Sequence, residues 1–142
     1  TLDQLYRGTV AHYAMERVAA DGSVSACQLP PAAGPVPAAG TCCGAFGGAD
    51  SDGDDRCDGD EAEWDAAFGM LKVPYPGSHY FTYELLPDPR STEPAMILRA
   101  TGDLDCDGVR STFERYLVGQ PTPGGGCELE DRRAMYTENE LE

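Results

Sequence analysis

Met96-Ile-Leu-Arg-Ala-Thr-Gly-Asp-Leu-Asp-Cys-Asp-Gly-Val-Arg-Ser-Thr-Phe-Glu-Arg-Tyr-Leu-Val118 sets two runs of β-favouring residues on either side of an acidic turn. Within it, Asp103 to Glu114 carries acidic residues at its first, third, fifth and twelfth positions and a glycine at its sixth. That is the spacing of a calcium-binding loop, in which alternate carboxylates converge on one hard cation and the glycine permits the sharp bend. An Asp-Gly step between two apolar runs is equally the signature of a hairpin turn. A full EF-hand does not fit. Its eighth loop position, usually apolar, is Arg110, and Ala95-Met-Ile-Leu-Arg-Ala100 is too short and too apolar for an entering helix.

What remains is an acidic loop joining other elements, with Asp103, Asp105 and Asp107 as candidate ligands for Ca²⁺. The place of Glu114 depends on the conformation the chain takes from Ser111 onward. If Ser111 caps a helix, with Glu114 as its capping-box partner, the carboxylate stays near the ion. If Ser111 to Val118 is a strand, Glu114 lies about 10 Å along the chain from Ser111.

Outward from this stretch the chain reads as α+β. His79 to Leu86, Met96 to Thr101 and Ser111 to Val118 are rich in aromatic and β-branched residues and predict strands, with Ala134 to Thr137 a short edge strand. Leu2, Leu5, Tyr6, Val10, Tyr13 and Val18 recur on a helical period and predict an amphipathic helix over residues 2–20, stopped by Asp21-Gly22. The stretch from there to Gly48 lacks periodicity and reads as one long loop, of a length that needs stapling or a function. Glu61 to Leu71 spaces Trp64, Phe68 and Leu71 for a short helix that buries the single tryptophan. A helix followed by turn-linked strands predicts an antiparallel meander packed on the helix, in one domain spanning residues 1–142. Residues 1–20 form its helical part, 21–73 the loop region, and 74–142 the sheet and carboxy-terminal region.

A second acidic run, Asp50-Ser-Asp-Gly-Asp-Asp-Arg-Cys-Asp-Gly-Asp-Glu61, again places Asp50, Asp52 and Asp54 at alternate positions. Its sixth residue is Asp55 rather than glycine, so it is the lesser cation candidate and otherwise a solvated turn carrying Cys57.

The formal charge of −15 argues against nucleic acid and anionic membrane surfaces as partners. Cys27, Cys42, Cys43, Cys57, Cys106 and Cys127 form no zinc knuckle, and His12 and His79 lie far from any cysteine cluster in the sequence. Disulfides in an oxidising compartment are therefore expected. Their connectivity is open among the possible pairings. The preferred bridge is Cys106 to Cys127, which would pin the acidic loop to the Gly-rich tail, and vicinal Cys42 and Cys43 should find different partners, with Cys57 and Cys27 the nearest. No nucleophile motif or phosphate-binding loop occurs, so no enzymatic activity is expected. No run approaches the roughly 20 apolar residues of a membrane span, and no signal peptide opens the numbered chain.

Leu2-Asp-Gln-Leu-Tyr-Arg-Gly8, Tyr13-Ala-Met-Glu-Arg17, Thr41-Cys-Cys43, Tyr80-Phe-Thr-Tyr83 and Gly102-Asp-Leu-Asp-Cys-Asp-Gly108 running into Ser111-Thr-Phe-Glu-Arg115 together resemble type IV pilin-like proteins of myxobacterial and related lineages. The likeness covers nearly the whole chain. It lacks the apolar amino-terminal half-helix, with a peptidase signature ending in phenylalanine and a glutamate four residues later. The resemblance implies a head domain beginning part-way along the pilin helix, with residues 2–20 packed on an antiparallel sheet and Ser111 to Val118 as a strand. It also implies an extracellular or periplasmic filament subunit whose partners are other pilin subunits and whose membrane contact is through the missing half-helix. Related secretion pseudopilins imply calcium in a loop of the globular domain. The rival expectations are a secreted calcium-dependent binding or adhesion module that does not polymerise, and a type II secretion pseudopilin.

Overall fold

The computed structural model describes residues 1–124 and 126–140. The first helix, α1, spans Leu2–Tyr13 and buries Leu5, Thr9 and Tyr13 along one stripe. It stops well short of Ala20, the end that the periodicity suggested. Arg17–Val18 (β1) and Val24–Ser25 (β2) pair instead as a small antiparallel hairpin, with Asp21-Gly22 as its turn. Gly22 has a φ of 82°, and the Asp21 carboxylate accepts from the Ser23 N–H (2.9 Å) and hydroxyl (2.7 Å). Local turn chemistry and two valines thus outweigh the helical period. The Arg17 guanidinium reaches back to the His12 carbonyl (3.2 Å), which also accepts from the Met15 N–H (3.3 Å) where the helix ends.

The second helix, α2, covers Glu61–Phe68 and runs into a 3-10 turn at Gly69–Leu71. Asp60 caps it, accepting from the Ala62 N–H at 2.8 Å, and Glu61 and Glu63 complement the positive end of its dipole. Trp64, Phe68 and Leu71 are buried as their spacing predicted, and the Trp64 indole donates to the Val73 carbonyl at 2.9 Å.

Six strands make the main sheet: Ala33–Val36 (β3), Phe81–Pro87 (β4), Ala95–Gly102 (β5), Ser111–Pro121 (β6), Cys127–Asp131 (β7) and Tyr136–Glu138 (β8). The order is β3-β4-β5-β6-β7, all neighbours antiparallel, with β8 paired to the start of β6 and β7 to its end. The strands expected near residues 79–86, 96–101, 111–118 and 134–137 are present with shifted ends. Ser111 opens a strand, so the capped-helix alternative falls. β3 lies in the stretch that read as unbroken loop, and β7 in the Gly-rich tail.

Register sorts the side chains onto two faces. Leu85, Leu98, Met96, Ala100 and Leu117 turn inward toward α1 and α2, whereas Glu84, Arg99, Glu114 and Tyr136 line up across the outer face. Gly119 on β6 lets Tyr13 of α1 press against the strand, since a methyl group there would overlap the Tyr13 ring and hydroxyl. At one sheet edge β3 carries Pro35, which has no N–H for a further strand, and at the other β7 alternates acidic residues.

The disulfides are Cys27–Cys127, Cys42–Cys57 and Cys43–Cys106. Cys42 and Cys43 do take different partners, and Cys57 is one of them. The expected Cys106–Cys127 bridge does not form, and Cys27 joins Cys127 instead. The reason is the length of β6. Cys106 lies before its first residue and Cys127 pairs with Pro121 at its last, so the two cysteines sit near opposite ends of a strand about 30 Å long.

Candidate metal site

Antiparallel pairing of Gly102 with Ser111 closes residues 103–110 into a hairpin loop at the end of β5 and β6. The loop coils around Asp103, which is 5% exposed. One Asp103 carboxylate oxygen accepts from the Asp107 N–H (3.2 Å) and the other from the Gly108 N–H (3.0 Å). Asp107 in turn accepts from the Val109 N–H (2.7 Å), and Asp105 from the Asp107 N–H (3.3 Å). Two residues take left-handed backbone, Gly108 at φ 93° and Cys106 at φ 57°. The first is glycine's ordinary freedom; the second is held in place by the bond to Cys43.

This geometry brings one carboxylate oxygen each from Asp103, Asp105 and Asp107 within 4.8 Å of one another. Oxygen ligands at 2.3–2.6 Å from one Ca²⁺ lie at most about 5 Å apart, so the three fit a common ion. Three carboxylates fall short of the six to eight oxygens that calcium prefers, which leaves room for backbone carbonyls and water and points to weak affinity. Glu114 is not among them. It stands on β6, where it accepts from the Arg99 guanidinium at 2.6 Å, with Glu84 on the other side of Arg99 at 3.4 Å. The strand alternative for Ser111 placed it at that remove.

The second acidic run also gathers three carboxylates within 4.8 Å, but they are Asp50, Asp52 and Asp58 rather than Asp50, Asp52 and Asp54. Gly53 (φ 84°) and Asp55 (φ 60°) turn the chain back, and the Cys42–Cys57 bond delivers Asp58 to the start of the loop. There Asp58 accepts from the Ser51 N–H (2.9 Å) and hydroxyl (2.5 Å), which hold its pKa below the usual carboxylate value. Asp54 faces Arg56 instead, accepting from its backbone N–H at 3.0 Å. The negative charges of Asp54 and Asp58 raise the pKa of Asp52. Only the expected Cys42 or Cys43 bridge to Cys57 hinted in the sequence that Asp58 would fold back.

The two acidic loops are neighbours. Cys43–Cys106 ties the segment after Thr41 to the Asp103 loop, Cys106 Sγ lies 3.6 Å from an Asp55 carboxylate oxygen, and Phe46 packs beside Gly108. Behind them His79 exchanges two backbone hydrogen bonds with Cys57 (2.7 and 3.2 Å) and sits among Trp64, Tyr75 and Tyr83. Its Nδ1 is 2.7 Å from the Gly77 carbonyl, and burial pushes its pKa down. The Ser111 hydroxyl donates to the Gly102 carbonyl at 3.1 Å, so it serves the hairpin. Three disulfides point to an oxidising, extracellular or periplasmic setting. Among the described residues no helix is long and apolar enough to cross a membrane. Comparisons of the chain with protein-family models, with curated proteins and with solved structures returned no match.

Proposed function

We propose that this domain is the head of a type IV pilin-like filament subunit in an extracellular or periplasmic setting, braced by its disulfides and by calcium at Asp103, Asp105 and Asp107. The observation that supports the filament reading is the placement of α1, whose apolar stripe lies on the inner face of an antiparallel sheet with disulfide-stapled loops around it. The observation that supports the cation is the convergence of the three carboxylates in the coiled loop. Calcium would lower the mutual repulsion of a strongly acidic surface and stiffen the loop that carries it. The partners are other subunits of the same kind, and the acidic balance disfavours nucleic acid.

The early end of α1 at Tyr13 favours the second reading, a secreted calcium-dependent module that stays monomeric. Immunogold labelling of source cells with antibody to this domain, with mass spectrometry of sheared surface fractions, separates the two. The filament reading expects label along fibres and a mature chain whose amino terminus is an apolar helix beginning at phenylalanine. Recovery of the domain only as a monomer in the medium would sink that reading and leave the secreted module.

A further inference from the structure

We propose that the outer face of the sheet is a binding site for neutral saccharide, independent of the filament reading and remote in chemistry from the acidic loops. Register places Glu84, Arg99, Glu114 and Tyr136 side by side in one row across β4, β5, β6 and β8. Thr101 and Thr112 pair in the adjacent row. These six residues line a groove of about 520 Å³, and a second groove of about 540 Å³, lined by Ile97 and Tyr116, meets it at Glu114 and Tyr136.

The chemistry of the lining selects the ligand. In a chain of net charge −15, this groove is nearly balanced, with Glu84, Glu114 and Glu138 against Arg99 and Arg110. Neither a cation nor an anion gains much from it. Arg99 donates to Glu114 at 2.6 Å and to Glu84 at 3.4 Å, which fixes the three side chains against one another. Those two bonds use two of the five guanidinium N–H groups and one oxygen of each carboxylate, so donors and acceptors remain in a fixed array. Beside them Tyr136 is 52% exposed. A sugar ring matches this combination, since its hydroxyl edge both donates and accepts while its C–H face stacks on an aromatic ring. A merely solvated sheet face needs charged groups, but it does not need an exposed tyrosine beside a fixed array of donors and acceptors.

The test is an array of neutral and acidic glycans probed with the disulfide-intact domain, followed by amide chemical-shift titration of ¹⁵N-labelled protein with the neutral oligosaccharide that binds. The expected result is saturable binding to a neutral glycan, with shifts centred on Arg99, Glu114 and Tyr136. Tyr136→Ala should weaken it by about tenfold or more, whereas Tyr136→Phe, which keeps the ring, should stay within about threefold of the parent. Binding to the neutral glycan should persist at about 0.5 M salt, where exposed charge pairs are screened. No binding across the array, shifts confined to the acidic loops, or a preference for acidic glycans that salt abolishes would each overturn the proposal. Melting curves of both Tyr136 variants guard against loss of fold, which this exposed position is not expected to cause.

Discussion

Adding calcium to the metal-free domain should raise its melting temperature by an amount that the site geometry bounds. Three carboxylates without a bidentate glutamate resemble the weaker extracellular calcium modules, with dissociation constants of about 10⁻⁴–10⁻³ M. At about 10 mM calcium, a ligand that binds only the folded state stabilises by RT ln(1 + [L]/Kd), or about 1.4–2.7 kcal/mol. Unfolding entropy near 2.1 cal/mol/K per residue gives about 0.3 kcal/mol/K for this chain. The shift is then about 5–9 °C. Circular-dichroism melts in EDTA, in calcium and in magnesium measure it, with the disulfides intact throughout. Asp105→Ala removes an exposed ligand without opening the core and should abolish most of the shift. Asp52→Ala reports separately on the second cluster. A shift below about 1 °C at that concentration would mean a dissociation constant above roughly 10 mM and would refute the reasoning. So would a full shift that survives Asp105→Ala, which would place the ion elsewhere.

Gly119→Ala should destabilise the domain by about 1–3 kcal/mol, because the new methyl group overlaps buried Tyr13 where α1 meets β6. Urea unfolding measures it. Combining the change with a smaller side chain at position 13 should cost less than the sum of the single changes, and strict additivity would show that the two residues do not touch. Stability should also fall as the pH drops below about 6.5. Buried His79 has a folded pKa below its ordinary value, so the unfolded chain takes up the proton first and stability is fully present only above the unfolded pKa. The loss steepens to at most about 1.4 kcal/mol per pH unit until the folded pKa is reached. His12 adds a contribution of the same sign, its pKa lowered by burial and then by Arg17. Urea midpoints between pH 7.5 and 5.5 should show a shallower slope in His79→Gln than in the parent, and equal slopes would remove His79 as the cause.

The elements that could be read from the sequence are those whose side chains alternate or recur strongly. β4, β5 and the first part of β6 carry runs of aromatic and branched residues, and α2 announces itself through Trp64, Phe68 and Leu71. β3 was hidden because Ala33-Gly-Pro-Val36 carries glycine and proline, residues that a strand tolerates only at an edge, where this one lies. In β7 only Leu129 is buried, so Cys-Glu-Leu-Glu-Asp131 offers little hydrophobic pattern. The Asp103 cluster was legible because its three carboxylates are local, two residues apart on one turn. Asp58 was not, because its place beside Asp50 depends on a disulfide and on two left-handed residues. The outer-face row escaped for the same reason in stronger form. Glu84, Arg99, Glu114 and Tyr136 come from four strands and meet only through register.

The disulfides and the acidic loops are best understood as one device. Cys43–Cys106 and Cys42–Cys57 close loops with sequence separations of 63 and 15 residues, and each bond of this kind restricts the unfolded chain by about 3–4.5 kcal/mol in the chain-entropy account. That stabilisation is partly offset by an unfavourable arrangement, for both bonds converge on the vicinal pair Cys42-Cys43 and so draw the Asp50 and Asp103 loops together. Like charges repel within the Asp50 loop itself, where the carboxylates of Asp54 and Asp58 raise the pKa of Asp52. A fold that needed only to anchor its loops would gain by placing neutral residues there. On the proposed calcium reading, covalent bonds that hold the carboxylates in place would lower the ordering cost of binding, and the repulsion they impose is what a divalent ion would relieve.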